Sequence, residues 1–396
     1  MLNEKMIQLG ENSSVIRELF EYGNRRKAEI GEEKVLDFSL GNPNVPAPDR
    51  VTRSFMHLLE ETEASLLHGY TSAPGDMSVR KAVSEYMNET YNIGCEPTDF
   101  YMTAGAAASL TITLRSVCRE GSQVIVFTPY FPEYKVFIEN AGGVTVEVPV
   151  RTEDFQPDFE ALSEALSPDT AAVIVNSPNN PTGAVLTEES LKQLAGYLEE
   201  AQERFGTEIF LISDEPYREL IYDEVKLALP VNYYNNTIVC YSWSKSLSMP
   251  GERIGYIMVS PRADRRHKIF TAICGSGRSL GFVCAPSMMQ YVAAMNQGVT
   301  SDLDEYAKNR QLIYEIVTGC GFEAVRPDGA FYLFVKSPSG DGKEFSERAK
   351  KYELLLVPSD SFGIEGYVRI SYCVARKQIE RSEEAFRALA ADYGLL

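Results

Sequence analysis

The middle of the chain alternates β-branched and aromatic runs with stretches whose apolar positions recur at helical spacing. Five runs read as strands: Gln123 to Phe127, Ala171 to Asn176, Glu208 to Asp214, Thr237 to Ser242 and Gly255 to Val259. Strands alternating with amphipathic helices are the pattern of βαβ units, so a mainly parallel sheet flanked by helices is expected. Between two of these strands, Leu191, Leu194, Ala195 and Leu198 fall at helical spacing. Thr187 is placed to cap that helix, and Glu188 stands four residues before Lys192, where the two can pair.

Beyond about residue 290 the pattern changes. A long helical stretch, Asp302 to Thr318, precedes short strands near Ala330 to Val335, Leu354 to Val357 and Val368 to Ser371. The helix expected over Ser13 to Ile30 has no evident partner in the parallel core. With the arm before it, this helix is expected to dock on the C-terminal segment. The fold class is therefore α/β: a large domain, residues 46–289, and a smaller α+β domain built from both chain ends, residues 1–45 and 290–396. A chain of 396 residues exceeds the usual size of one hydrophobic core, which fits that division.

Composition narrows the function. A formal charge of −18, with no stripe of Lys and Arg interleaved with aromatics, disfavours nucleic acid as a partner. No run of about eighteen apolar residues occurs, and Met1 to Gly10 has no apolar core flanked by basic residues, so neither a membrane span nor a secretory address is expected. The seven cysteines are scattered singly, with no C-x-x-C pair, which suggests a reduced, cytoplasmic setting. His57, His68 and His267 are too dispersed for a familiar metal-ligand pattern, and no metal is expected.

Candidate chemistry sits at the ends of expected strands. Asn179-Asn180-Pro181-Thr182-Gly183 follows the first of three, Asp214-Glu215-Pro216-Tyr217 ends the second, and Ser242-Trp243-Ser244-Lys245 ends the third. The carboxyl ends of strands in an open parallel sheet line one crevice, so the three motifs are expected to share a site. Each alone is weak: N-P-T-G is also an ordinary turn, an aspartate at a strand end often caps a helix, and S-x-S-K is common. Three in order, each after an expected strand, are hard to produce by coincidence. A lysine amine becomes nucleophilic where desolvation or a cation favours the neutral base, and it can then condense with an aldehyde. Lys245 is the candidate for that role.

Together with Leu40-Gly41-Asn42-Pro43, the segment from Tyr70 to Gly75, Gly251-Glu252-Arg253-Ile254-Gly255, Gly329-Ala330-Phe331-Tyr332 and Val368-Arg369-Ile370-Ser371, the chain resembles the class I/II aminotransferases, fold-type I pyridoxal-phosphate enzymes, over nearly its whole length. The resemblance implies pyridoxal 5'-phosphate bound covalently to Lys245, which is also the catalytic base. It implies Asp214 against the ring nitrogen, with Asn180 and Tyr217 bonding to the phenolic oxygen. Phe131 is matched to the aromatic stacked on the ring. Gly105, Ala106 and Ala107 at a helix amino terminus, with Ser242, Ser244 and Arg253, would hold the phosphate. Tyr70 is matched to the tyrosine that reaches the neighbouring subunit's phosphate, so a homodimer with shared active sites is expected. Arg369 would grip the substrate α-carboxylate as a two-donor fork, with Gly41 and Asn180 beside it.

The reaction so implied moves an amino group between an amino acid and a 2-oxo acid with ping-pong kinetics. A carbon–sulfur β-lyase is the alternative on the same scaffold. Lyases of that kind resemble P-H-N-P-x-G with a tyrosine at the stacking position, whereas this chain carries Asn179 and Phe131. A transcriptional regulator would need a basic DNA-binding domain ahead of the motifs, which begin near the start of this chain. Substrate choice is less legible. Ser13 to Ile16 are candidates for the side-chain pocket, and the small residues of Ala104 to Ser109 depart from relatives with a longer polar side chain there. Pro358-Ser359-Asp360-Ser361-Phe362-Gly363 also departs from a more usual P-G-x-x-F-G.

Overall fold

The computed structural model describes residues 2–11 and 15–396. Its β-branched runs form a seven-stranded sheet in the order Phe100–Thr103, Gly255–Val259, Thr237–Ser242, Phe210–Asp214, Thr170–Asn176, Gln123–Thr128, Val144–Pro149. Every pairing is parallel except those of Gly255–Val259, which runs antiparallel to both neighbours. Its connection from Ser242 holds a turn and the short 3-10 helix Pro250–Glu252 but no crossover helix, so the chain simply doubles back. Two strands escaped the sequence reading, Phe100–Thr103 and Val144–Pro149, and both lie at edges of the sheet. One strand begins at Phe210 and not at Glu208, whose carboxylate instead pairs with Arg265 at the surface.

Helix Glu188–Phe205 shows why the local pattern holds. Thr187 Oγ1 accepts from the Ser190 amide at 3.0 Å, and Lys192 Nζ lies 2.6 Å from Glu188 Oε1. Leu191, Leu194 and Leu198 are buried, the last two packed with Val173 and Leu211 on one sheet face. Full burial of each leucine contributes about 2 kcal/mol. The opposite face is covered by helices Ala106–Val117 and Arg266–Ser279 through Leu110, Ile112, Leu114 and Ile273.

The C-terminal segment forms helix Leu303–Gly319, capped by Asp302, and a three-stranded antiparallel sheet in the order Val357–Pro358, Tyr367–Ser371, Tyr332–Lys336. Leu36–Asp37 pairs in parallel with Leu354–Leu355. The N-terminal helix Val15–Ile30 docks here as expected: Leu19 packs with Val35, Leu355, Val357 and Phe362, Arg26 reaches Glu353 at 2.6 Å, and Lys27 reaches Asp37 at 2.8 Å. Ser13 and Ser14, part of the expected helix, lie outside the described residues. The arm before it behaves differently. Helix Glu4–Glu11 buries no residue, and Lys5 pairs with Glu139 beside the large sheet, not with the C-terminal segment. Among the described residues no helix is long and apolar enough to cross a membrane.

Candidate functional site

Adjacent strands deliver their last residues to one place. Asn176 and Asp214 are register partners, and Ser242 ends the next strand. Asn176 ties two of the motifs together: its Nδ2 donates to the Asp214 carbonyl at 2.8 Å, and its Oδ1 accepts from the Asn180 amide at 2.8 Å. The turn beyond is held by Asn179 Oδ1, which accepts from the Thr182 amide and hydroxyl at 3.1 and 2.8 Å. The sequence match N-P-T-G is therefore a turn and also a support for the cavity.

That cavity, about 280 Å³, opens at the carboxyl ends of the strands. Of the residues singled out from sequence, Gly41, Ala106, Ala107, Phe131, Asn180, Asp214, Tyr217, Ser242, Ser244, Lys245, Arg253 and Arg369 line it. Gly105 stands at the N-cap of the helix behind Ala106. Tyr70 is not brought to this cavity; it is 89% exposed in the single chain. Ile16 lines the wall, as the segment Ser13 to Ile16 suggested, while Ser13 and Ser14 lie outside the described residues.

One end of the cavity is built for an anion. No side chain caps helix Ala106–Val117, so its first-turn N–H groups keep the partial positive charge of a helix amino terminus. Ser242 Oγ and Ser244 Oγ lie 2.6 Å apart, and Arg253 Nη1 donates to Ser244 Oγ at 3.4 Å and to the Pro250 carbonyl at 2.8 Å. Gly105 has φ +87°, and a Cβ there would sit 2.5 Å from Arg253 Nη2. Glycine is favoured by that backbone angle, and a side chain there would displace the Arg253 guanidinium.

The middle holds an acid and a base with their ordinary proton affinities displaced. Asp214 is buried. Its Oδ2 accepts from Tyr134 at 2.5 Å, and its Oδ1 has no partner. Burial raises its pKa to about 7, against the opposing pull of Tyr134. Lys245 donates to the Gly41 carbonyl at 2.8 Å. Burial, helped by the Arg253 and Arg369 guanidinium groups and opposed by Cys373, lowers its pKa to about 8. Phe131 packs edge-on to Tyr134, with ring centroids 5.7 Å apart. Tyr217 and Tyr332 share a hydroxyl contact of 2.9 Å, and a Cβ on Gly41 would clash with the Tyr332 hydroxyl at 2.1 Å.

Arg369 closes the far side. It is buried, its Nη1 donates to Asn180 Oδ1 at 3.0 Å and its Nη2 to the Ser39 carbonyl at 2.6 Å, and its Nε has no partner. Its charge meets only neutral acceptors of the described chain. A buried guanidinium without a carboxylate, a buried carboxylate with a bare oxygen and a lysine with depressed basicity are the features of a site that binds a polar ligand.

Sequence reasoning missed Tyr134, Asn176 and Tyr332. Tyr134 follows Tyr130 at helical spacing and reads as plain core, and Asn176 reads as the end of a strand. Only the Gly329-Ala330-Phe331-Tyr332 match carried a signal for the third.

The model of the family aminotransferase class I and II matches residues 33–387. The aspartate aminotransferase of Thermotoga maritima is 32% identical over 377 residues, covering 93% of this chain and 94% of the relative. Aromatic-amino-acid aminotransferase 2 of Thermococcus litoralis is 30% identical over 388 residues, with 94% of each covered. Among solved structures, an amino transferase from Eubacterium rectale superposes with a TM-score of 0.98 at 48% identity, covering 99% of both chains. These comparisons give no support to a lyase. The chain belongs to the class I and II aminotransferases.

Proposed function

We propose that this aminotransferase depends on pyridoxal 5'-phosphate, holds it through Lys245, and moves an amino group between an amino acid and a 2-oxo acid by ping-pong turnover. The observation that carries the reading is the bare, buried Oδ1 of Asp214 in the same cavity as a lysine of lowered basicity. That oxygen lacks a donor, and a protonated heterocyclic nitrogen is one.

The residues fit the cofactor at each end. Ser242, Ser244, Arg253 and the amino terminus behind Gly105 suit its phosphate, Phe131 offers a face to its ring, and Asn180 and Tyr217 supply polar groups at its edge. When bound, pyridoxal phosphate supplies a cationic ring that withdraws electrons from the substrate's α-carbon. Asp214 keeps that ring charged. Arg369 orients the α-carboxylate with two parallel donors. Lys245 Nζ, once displaced by the incoming amino group, is a neutral base positioned for the α-proton.

Residues 46–289 are taken as the large domain, and 1–45 with 290–396 as the small one. Arg369 then lies on one and Lys245 on the other, so closure would bring the two together. A homodimer is proposed because Tyr70, at 89% exposure, and Met56, Leu59 and Leu66, all above half exposed, present large apolar surface to solvent. Seven unpaired cysteines support a reduced, cytoplasmic setting.

The test is a half-reaction. Holoprotein mixed with an amino acid should lose its visible absorbance with release of an oxo acid, and a second oxo acid should restore it. Release of pyruvate from cystathionine, with no acceptor present and no change in the amine form, would overturn the reading.

A further inference from the structure

Among the described residues, and tyrosines apart, four acidic or basic side chains line the cavity: Asp214, Lys245, Arg253 and Arg369. The proposed function commits each of them, to the ring nitrogen, the covalent link, the phosphate and the α-carboxylate. No cation of the wall is left for a second carboxylate. The neutral polar groups are committed as well: Asn180 Oδ1 to Arg369, the Asn176 amide to Asp214 and Asn180, and the Tyr332 hydroxyl to Tyr217.

Among the described residues, what remains of the wall is apolar. Leu40 is 39% exposed and Ile16 half-buried, so both stand at the mouth of the cavity and not inside a packed core. Leu40 is also fixed next to the reactive centre, because the carbonyl of the following residue, Gly41, accepts from Lys245 Nζ at 2.8 Å. An amino acid whose amino group replaces that of Lys245 and whose carboxylate meets Arg369 must place its side chain along the wall that is left. There a carboxylate would lose hydration without gaining an ion pair, whereas an apolar side chain would cover the exposed Leu40 and the open part of the half-buried Ile16.

We infer that the amino donor preferred by this site carries a neutral, apolar side chain, aromatic or branched, and not a second carboxylate. The inference rests on the transamination reading above. It separates two relatives of similar resemblance, one named for aspartate and the other for aromatic amino acids.

Single-turnover half-reactions of the holoprotein with phenylalanine, leucine, aspartate and glutamate test it. The apolar donors should exceed the acidic ones in kcat/KM by about tenfold or more, since a carboxylate that enters the site unpaired gives up its hydration. Ile16→Ala should lower kcat/KM for phenylalanine more than for alanine, and Leu40→Arg should raise the ratio of aspartate to phenylalanine. Aspartate or glutamate reacting as fast as phenylalanine would overturn the inference, including through a cation contributed across a subunit boundary, and would leave transamination standing. A ratio unmoved by Leu40→Arg would also overturn it. A protein with no visible band, or one that converts with no amino acid, would instead bring down the reading beneath it.

Discussion

Asp214 and Glu215 are consecutive buried carboxylates with opposite surroundings. Glu215 is fully occupied: Oε1 accepts from Ser213 at 2.6 Å and Oε2 from Arg218 Nε at 2.7 Å. Arg218 in turn donates to the Tyr256 hydroxyl at 2.7 Å and lies 4.2 Å from the centre of the Tyr241 ring. Asp214 has one tyrosine and a bare oxygen. Both sit at the end of one strand, so burial alone does not distinguish scaffold from site. Satisfaction does: a paired buried charge is finished in the folded chain, and an unpaired one is finished by something that binds.

The largest expected effect separates the two. Asp214→Asn should lower amino transfer on the order of 10²-fold, because the charge proposed to hold the cofactor's ring cationic is gone. It should leave the apoprotein as stable or more stable. Glu215→Gln should do the reverse, costing about 3 kcal/mol in urea unfolding because the buried Arg218 loses the carboxylate it pairs with, with the half-reaction rate kept within a few-fold. Equal stability losses in the two variants would erase the distinction. The sign of the pH effect agrees. With its folded pKa raised from 3.8 to about 7, Asp214 contributes stability at low pH that is lost as pH rises through that interval. In apoprotein Asp214→Asn should flatten this part of the stability profile.

A smaller effect sharpens the comparison from the other side. Tyr134 is the only donor to the Asp214 carboxylate among the described residues, and a hydrogen bond to a charged group is worth about 1.5 to 3 kcal/mol. Tyr134→Phe should weaken cofactor retention roughly tenfold or more by that measure. It should also shift the pH at which retention is half-maximal upward, since Asp214 would ionise less readily. A merely structural tyrosine would lower stability without moving that profile.

The mildest effect is on Lys245. Its amine must be neutral to attack an aldehyde, and its pKa is lowered from 10.5 to about 8. The rate of cofactor capture by apoprotein should therefore rise with pH and level off above about 8, as stopped-flow absorbance would show. A rise continuing towards 10.5 would place the amine in an ordinary, solvated setting.

How much of this was legible beforehand depended on range. The strands at Gln123, Ala171 and Thr237 announce themselves through β-branched runs, and Thr187, Glu188 and Lys192 set their helix locally. Phe100–Thr103 is only four residues long, and Val144–Pro149 is an edge strand with Val144 half exposed, so neither shows the continuous apolar run of a central strand. The antiparallel course of Gly255–Val259 was also hidden, because hydrophobicity reports burial and not direction. In the site, residues inside contiguous motifs were found, apart from Tyr332, whose motif was matched without a role for it. Tyr134 was not, since its bond to Asp214 spans 80 positions and nothing in its neighbours distinguishes it from core. Tyr70 stands outside the cavity of the single chain, where a role across a subunit boundary would leave it.

The central claim is that one ε-amino group carries the cofactor. Borohydride reduction of the holoprotein, followed by proteolysis and peptide mass mapping, tests it directly. The account predicts a stable adduct on the peptide containing Lys245 and on no other lysine. An unmodified Lys245, or an adduct placed elsewhere, would contradict it.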